Sequence, residues 1–191
     1  MKHRIYNKSM YQFDSPEDSL WEATPGNRSA ISQKLLGDQI SDIAIIGGGY
    51  TGLSTAYHLA KKYNITSSVI DAGHIGWGAS GRNGRFCSMG GTAESINALI
   101  KKYGLEDVKK YYQCQIKAIE LVRKIIIDED VDIKIKGKAE IEVARSSRDH
   151  EVLANYAQFR QDVLGLKTKT ISRTDFAENY FDSTEQFGAI S

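Results

Sequence analysis

The sequence predicts an α/β protein that opens with a βαβ unit and runs on into the start of an antiparallel sheet. Three observations carry that prediction. A short apolar run, Ile43-Ala44-Ile45-Ile46, leads straight into Gly47-Gly48-Gly49-Tyr50-Thr51-Gly52. A second apolar pair, Val69-Ile70, ends in Asp71. From Val131 onward apolar and polar residues alternate singly, the period of a half-buried strand.

Residues 1–40 read as an irregular polar segment with Pro16 and Pro25 and four scattered aromatics, Tyr6, Tyr11, Phe13 and Trp21. Such composition favours disorder unless those rings pack it across the domain that follows. Ile43 to Ile46 then reads as a strand buried on both faces of a parallel sheet. Gly47 allows a tight turn, Gly49 keeps a Cβ out of the way of a bound pyrophosphate, and Gly52 lets the next helix pack close to the sheet. From Thr51 to about Tyr63, Leu53, Ala56, Tyr57 and Ala60 fall on one helical face. The positive end of that helix points at the phosphates. Asp71, nineteen residues past Gly52, stands where a carboxylate accepts hydrogen bonds from the adenosine ribose. An acid there disfavours a 2′-phosphate and so NADP. Together these features describe a Rossmann-like dinucleotide site; the competing reading is a βαβ unit that needs glycines only for packing.

The segment after Asp71 narrows the nucleotide. Gly76-Trp77-Gly78-Ala79-Ser80-Gly81-Arg82-Asn83-Gly84-Arg85 offers backbone N–H groups, short polar side chains and a cation. Those are groups suited to the diphosphate and ribityl parts of FAD, with Ser80, Arg82 and Asn83 lining that side. NAD needs no such loop, because a second βαβ half binds its nicotinamide end. A plain surface loop is the competing reading.

Beyond the loop, Thr92 to Tyr103 reads as a helix closed by Gly104. A longer helix over about Glu106 to Asp128 carries Tyr111, Cys114, Ala118, Leu121, Val122 and Ile125 as its buried stripe. Val131, Ile133 and Ile135, then Ala139, Ile141 and Val143, form a predicted hairpin with its turn near Lys136–Lys138. A helix over Arg148 to about Val163, a strand over Lys167–Ile171 and a helix over Thr174–Tyr180 complete the order. The elements therefore divide as 1–40, an irregular segment; 41–130, an FAD-binding domain; and 131–191, the start of a second, antiparallel-sheet domain.

Composition sets bounds. With 41% apolar residues the chain can bury a core, and a net charge of +1 makes no case for nucleic acid. Cys87 and Cys114 are too few and too far apart for a disulfide framework or thiolate metal motif, and the four histidines show no ligand spacing. His58, on the helix after the glycine turn, has a packing or surface role. No stretch is long enough for a membrane span and the N-terminus lacks an apolar signal core, so the expected location is cytoplasmic.

The run Asp42 to Ser54 together with Gly78 to Gly84 resembles the D-amino-acid-oxidase-like superfamily of FAD-dependent oxidoreductases. Within it the resemblance is greatest to the gamma-glutamylputrescine oxidase branch, which commonly carries an upstream segment like Ser19-Leu20-Trp21-Glu22-Ala23-Thr24. The chain departs from that branch at Asp71, where glutamate is usual, and at Arg85, where glycine is usual; a cation at Arg85 either meets the flavin phosphates or obstructs the loop. The resemblance implies an FAD enzyme that oxidises the C–N bond of an amine or amino acid by hydride transfer to flavin N5. It also implies an interleaved antiparallel substrate domain, and a full length well beyond 191 residues, so that the chain reads as an N-terminal portion. No catalytic residue can be matched. Two alternatives stay open: a non-catalytic FAD-binding fragment or subunit that needs a partner chain, and an NAD-binding oxidoreductase.

Overall fold

The computed structural model describes residues 7–13, 33–84, 86–133, 135–137 and 139–191. Two compact units divide between Phe86 and Cys87. The boundary expected between residues 130 and 131 lies inside the second unit.

The first unit is built on the βαβ order. Strand β1 (Ala44–Ile46) pairs in parallel with β2 (Ser68–Ile70), Ile45 standing opposite Val69, and helix α1 (Tyr50–Tyr63) crosses between them. The turn out of β1 needs glycine: Gly47 sits at φ +108°, a region that L side chains rarely adopt. Gly52 is buried, and a Cβ there would land on the Gly47 carbonyl oxygen and press on Ile45 Cγ2. The helix thus approaches the strand exit as closely as backbone allows. Its C-terminus closes on Asn64 in the left-handed conformation, whose amide donates to the Ala60 carbonyl.

Two expectations change here. The strand buried on both faces is not found: Ile45 is half-buried toward the helix side, whereas Ile46 is 81% exposed. Among the described residues the sheet has only two strands, and Ala44 and Ile46 of β1 are exposed. The packed stripe of α1 is also rotated. Gly52, Ala56 and Leu59 form it, while Leu53 and Ala60 are exposed, because the helix rolls to place Gly52 against the turn.

In the second unit, α2 (Ile96–Tyr103) starts at Ser95, whose hydroxyl accepts from the Ala98 amide, and Gly104 joins it to α3 (Leu105–Asp128). Ile96, Leu99, Val108 and Tyr112 form a core with Leu164 and Leu166. Most of the stripe expected on α3 is displaced: Val108, Tyr112 and Ile116 face the core, Tyr111, Cys114, Ala118, Leu121 and Val122 are exposed, and of the expected residues Ile125 is half-buried. Helix α4 (Ser147–Leu164) is capped by Ser146, with Asp149 reaching back to the Arg145 amide, and ends at Gly165. Helix α5 (Arg173–Asn179) begins with the same device, Ser172 with Asp175.

An antiparallel sheet is present, but the hairpin over residues 131–143 is not. Residues 131–133, 135–137 and 139–141 form no strand, and Lys134 and Lys138 lie outside the described residues. Instead β3 (Glu142–Val143) and β4 (Thr170–Ile171) flank a central β5 (Ala189–Ile190). Val143 and Ile171 each stand opposite Ala189, which is fully buried, beside Phe176. The far strand outcompetes the local one because it supplies buried apolar partners, whereas Val131, Ile133 and Ile135 meet solvent.

Helix propensity alone makes Gly52→Ala stabilising by about 1 kcal/mol. The contact with Gly47 reverses the sign, and urea denaturation should show a loss of roughly 1–3 kcal/mol. A second prediction concerns pH. Burial raises the pKa of the Tyr112 and Tyr156 hydroxyls above the ordinary tyrosine value. Below about pH 10 both are protonated, folded or unfolded. Above it the unfolded chain releases protons that the folded chain retains, so stability falls as pH rises. The urea midpoint should drop between about pH 9 and 11, and Tyr112→Phe should flatten that drop.

Candidate functional site: the glycine turn and its loop

The expected nucleotide-binding residues gather around the N-terminus of α1. Gly48 donates its amide to Asp71 Oδ2 at 2.6 Å, which ties the glycine turn to the end of β2. Asp71 Oδ1 accepts from the Gly73 amide at 2.8 Å, and the Gly76 amide donates to the Gly48 carbonyl. The acid thus shapes the turn before any ligand arrives. A carboxylate offers about four lone-pair positions, and Asp71 is exposed, so it keeps capacity for a ribose hydroxyl.

The loop after Asp71 folds back onto the same point. A single 3-10 turn, Ala79–Gly81, brings Ser80 Oγ to 2.9 Å from the Tyr50 amide, the first N–H of α1. Gly49, the residue before the helix, has no side chain to do this itself. A Cβ at Gly49 would stand 2.9 Å from Ser80 Oγ, so the space that glycine leaves is used by that hydroxyl. Asn83 Nδ2 donates to the Ser80 carbonyl at 2.7 Å and reaches the Tyr50 hydroxyl at 3.2 Å. Two side chains therefore latch residues 79–83 to the first turn of the helix.

Arg82 is placed differently from Ser80 and Asn83. Its Nε donates to the Trp77 carbonyl at 2.8 Å and its guanidinium lies 4.3 Å from the Trp77 ring centroid. Arg85 lies outside the described residues. Trp77, Tyr50 and Gly48, to which the glycine motif itself gives no role, also shape this site. The signal for Trp77 was available: a bulky apolar residue inside a glycine-rich polar loop has to be covered by something.

The geometry suits a dinucleotide. A turn without side chains meets a helix whose amides at Thr51 and Gly52 have no acceptor within the helix, and a carboxylate stands at the next strand end. The family model described as FAD dependent oxidoreductase, DAO, matches residues 42–189. The chain belongs to this FAD-dependent family. Gamma-glutamylputrescine oxidoreductase of Escherichia coli (strain K12) is 32% identical over 114 residues, which are 60% of this chain and 26% of that protein. A probable oxidoreductase OrdL of Rhizobium meliloti (strain 1021) is 43% identical over 76 residues, 40% of this chain and 15% of the relative. Sarcosine oxidase subunit beta from the same organism is 51% identical over 43 residues, 22% and 10% of the two chains. The matched stretches thus span about a quarter or less of these relatives. No helix among the described residues is long and apolar enough to cross a membrane.

Loss of the Ser80 hydroxyl leaves the Tyr50 amide without its cap. Ser80→Ala should cost roughly 0.5–2 kcal/mol, the usual range for a helix N-cap, measured by urea denaturation of the FAD-free chain.

Proposed function

We propose that this chain is the FAD-holding, N-terminal part of an oxidoreductase that oxidises the C–N bond of an amine or amino acid. The observation that carries the reading is the meeting of three elements at one point: the Gly47–Gly49 turn, the first turn of α1 and the latched residues 79–83. Membership of an FAD-dependent family supports it, and similarity to the gamma-glutamylputrescine oxidoreductase of Escherichia coli supports an amine substrate. FAD, when bound, supplies the acceptor for a hydride leaving the carbon that bears the nitrogen.

The chain's own residues bind and orient. In this reading Gly47, Gly49 and Gly52 leave room for the pyrophosphate against the α1 amides. Asp71 accepts from the ribose, while Ser80, Arg82 and Asn83 line the diphosphate and ribityl side. The βαβ unit is then the opening of a Rossmann-like domain, the three-stranded sheet is the opening of a substrate domain, and the enzyme works in the cytoplasm.

A second reading has its own support. The matched stretches are a small share of each relative, and one relative is named as a subunit. On that basis the chain holds FAD but needs a second chain to complete a substrate site. The visible spectrum of the purified chain, followed by denaturation, tests what both readings share. A flavin spectrum with FAD released is the expected result, and amine-dependent bleaching under nitrogen separates the first reading from the second. A folded, colourless chain that takes up no added FAD overturns both.

Asp71→Ala should weaken FAD binding by roughly 1–3 kcal/mol through loss of a charged acceptor and of the tie to Gly48. Titration of the apoprotein with FAD measures it, and unchanged affinity removes Asp71 from the site.

A further inference from the structure

Trp77 is only 6% exposed although it lies in a loop of glycines and short polar residues. Its cover has three parts. Phe13, from the N-terminal segment, packs its ring 4.9 Å from the indole at 58°. The Arg82 guanidinium lies 4.3 Å from the ring centroid, with Arg82 Nε on the Trp77 carbonyl. Gly73 lies so close that a Cβ would stand 2.9 Å from Trp77 Cγ, so no larger residue fits there without displacing the indole. The indole N–H is buried and finds no hydrogen-bond partner among the described residues, where the ring is held by packing and by the cation.

These contacts form a chain of placement that ends at the proposed cofactor residues. Phe13 covers Trp77, Trp77 holds Arg82, and Arg82 adjoins Asn83, which grips the Ser80 carbonyl and the Tyr50 hydroxyl. Ser80 in turn caps α1. We propose that Phe13 is a positioning residue for the FAD site, acting through Trp77 and Arg82 on the latched turn at residues 79–83; this rests on the reading of that turn as the flavin side of the site. A segment more than sixty residues upstream of the loop thereby becomes part of the cofactor-binding unit.

The test uses the full chain carrying Trp21→Phe, which leaves Trp77 as the single tryptophan of the sequence. Without FAD, Phe13→Ala should red-shift Trp77 emission and increase its quenching by acrylamide. With FAD, the same variant should bind roughly 2- to 10-fold more weakly, the range expected for loss of an aromatic pair. Phe13→Tyr, which keeps the ring, should restore both readouts. If Phe13→Ala does not fold, Phe13→Leu keeps apolar cover without the ring and carries the same comparison. Unchanged emission, or changed emission with FAD affinity within twofold of the parent, overturns the proposal while leaving the cofactor site intact. A folded parent that binds no FAD overturns the cofactor reading itself, and the proposal with it.

Discussion

Gly52 has no side chain, and the Gly47 carbonyl occupies the place where one would be. That close approach fixes where α1 starts and how it is rolled. The strand exit, the glycine turn and the first helical amides then share one small volume, within reach of Asp71 from β2 and Ser80 from the loop beyond it. Move the helix outward by the width of a methyl group and the Tyr50–Ser80 bond lengthens. The cost of that proximity is visible on the helix surface, where Leu53 is turned away from the sheet so that a glycine can face it.

The site supplies hydrogen-bond partners to its own turn. Asp71 and Ser80 each satisfy an amide of the glycine turn or the helix start, so the local backbone is organised before a nucleotide arrives. Such preorganisation lowers the ordering cost of binding. It also leaves the Thr51 and Gly52 amides untaken by either side chain. Cofactor specificity, in the proposed reading, then rests on the loop at residues 76–84, whose shape depends on a buried tryptophan as much as on its polar residues.

The parts of this fold that were legible in the sequence are those set by short-range sterics. A glycine that must turn, an apolar strand before it and an acid at the next strand end all act over a few bonds, so the βαβ unit could be read directly. Helices α2, α4 and α5 were legible as elements, but their starts were not, since the serines that cap them, Ser95, Ser146 and Ser172, emerge only in the structure. The stripe on α3 was not, because two overlapping apolar faces run along it and only the packing of Leu164 and Leu166 selects between them. The alternation over residues 131–143 suggested local pairing, but strand pairing is decided by the partner that buries more, and Ala189 and Ile190 do so from far along the chain. Within the site, Asp71 and Ser80 were identified by type and spacing; that each is bonded to the turn itself depends on tertiary placement that no motif encodes.

The position of β5 has a consequence for how the protein is made. The parallel pair of the first unit closes within residues 44–70, a loop that a chain emerging from the ribosome completes early. In the second sheet, neither β3 nor β4 pairs with the other, and both wait for Ala189–Ile190. During synthesis the helices of that unit therefore emerge well before the strand that closes their sheet. The short helices α2 and α5 are marginal in water on their own, and apolar faces left uncovered in a part-made unit are the surfaces that chaperones hold. Vectorial synthesis thus gives the two units different folding schedules, the glycine turn being set while the other half is still unpaired.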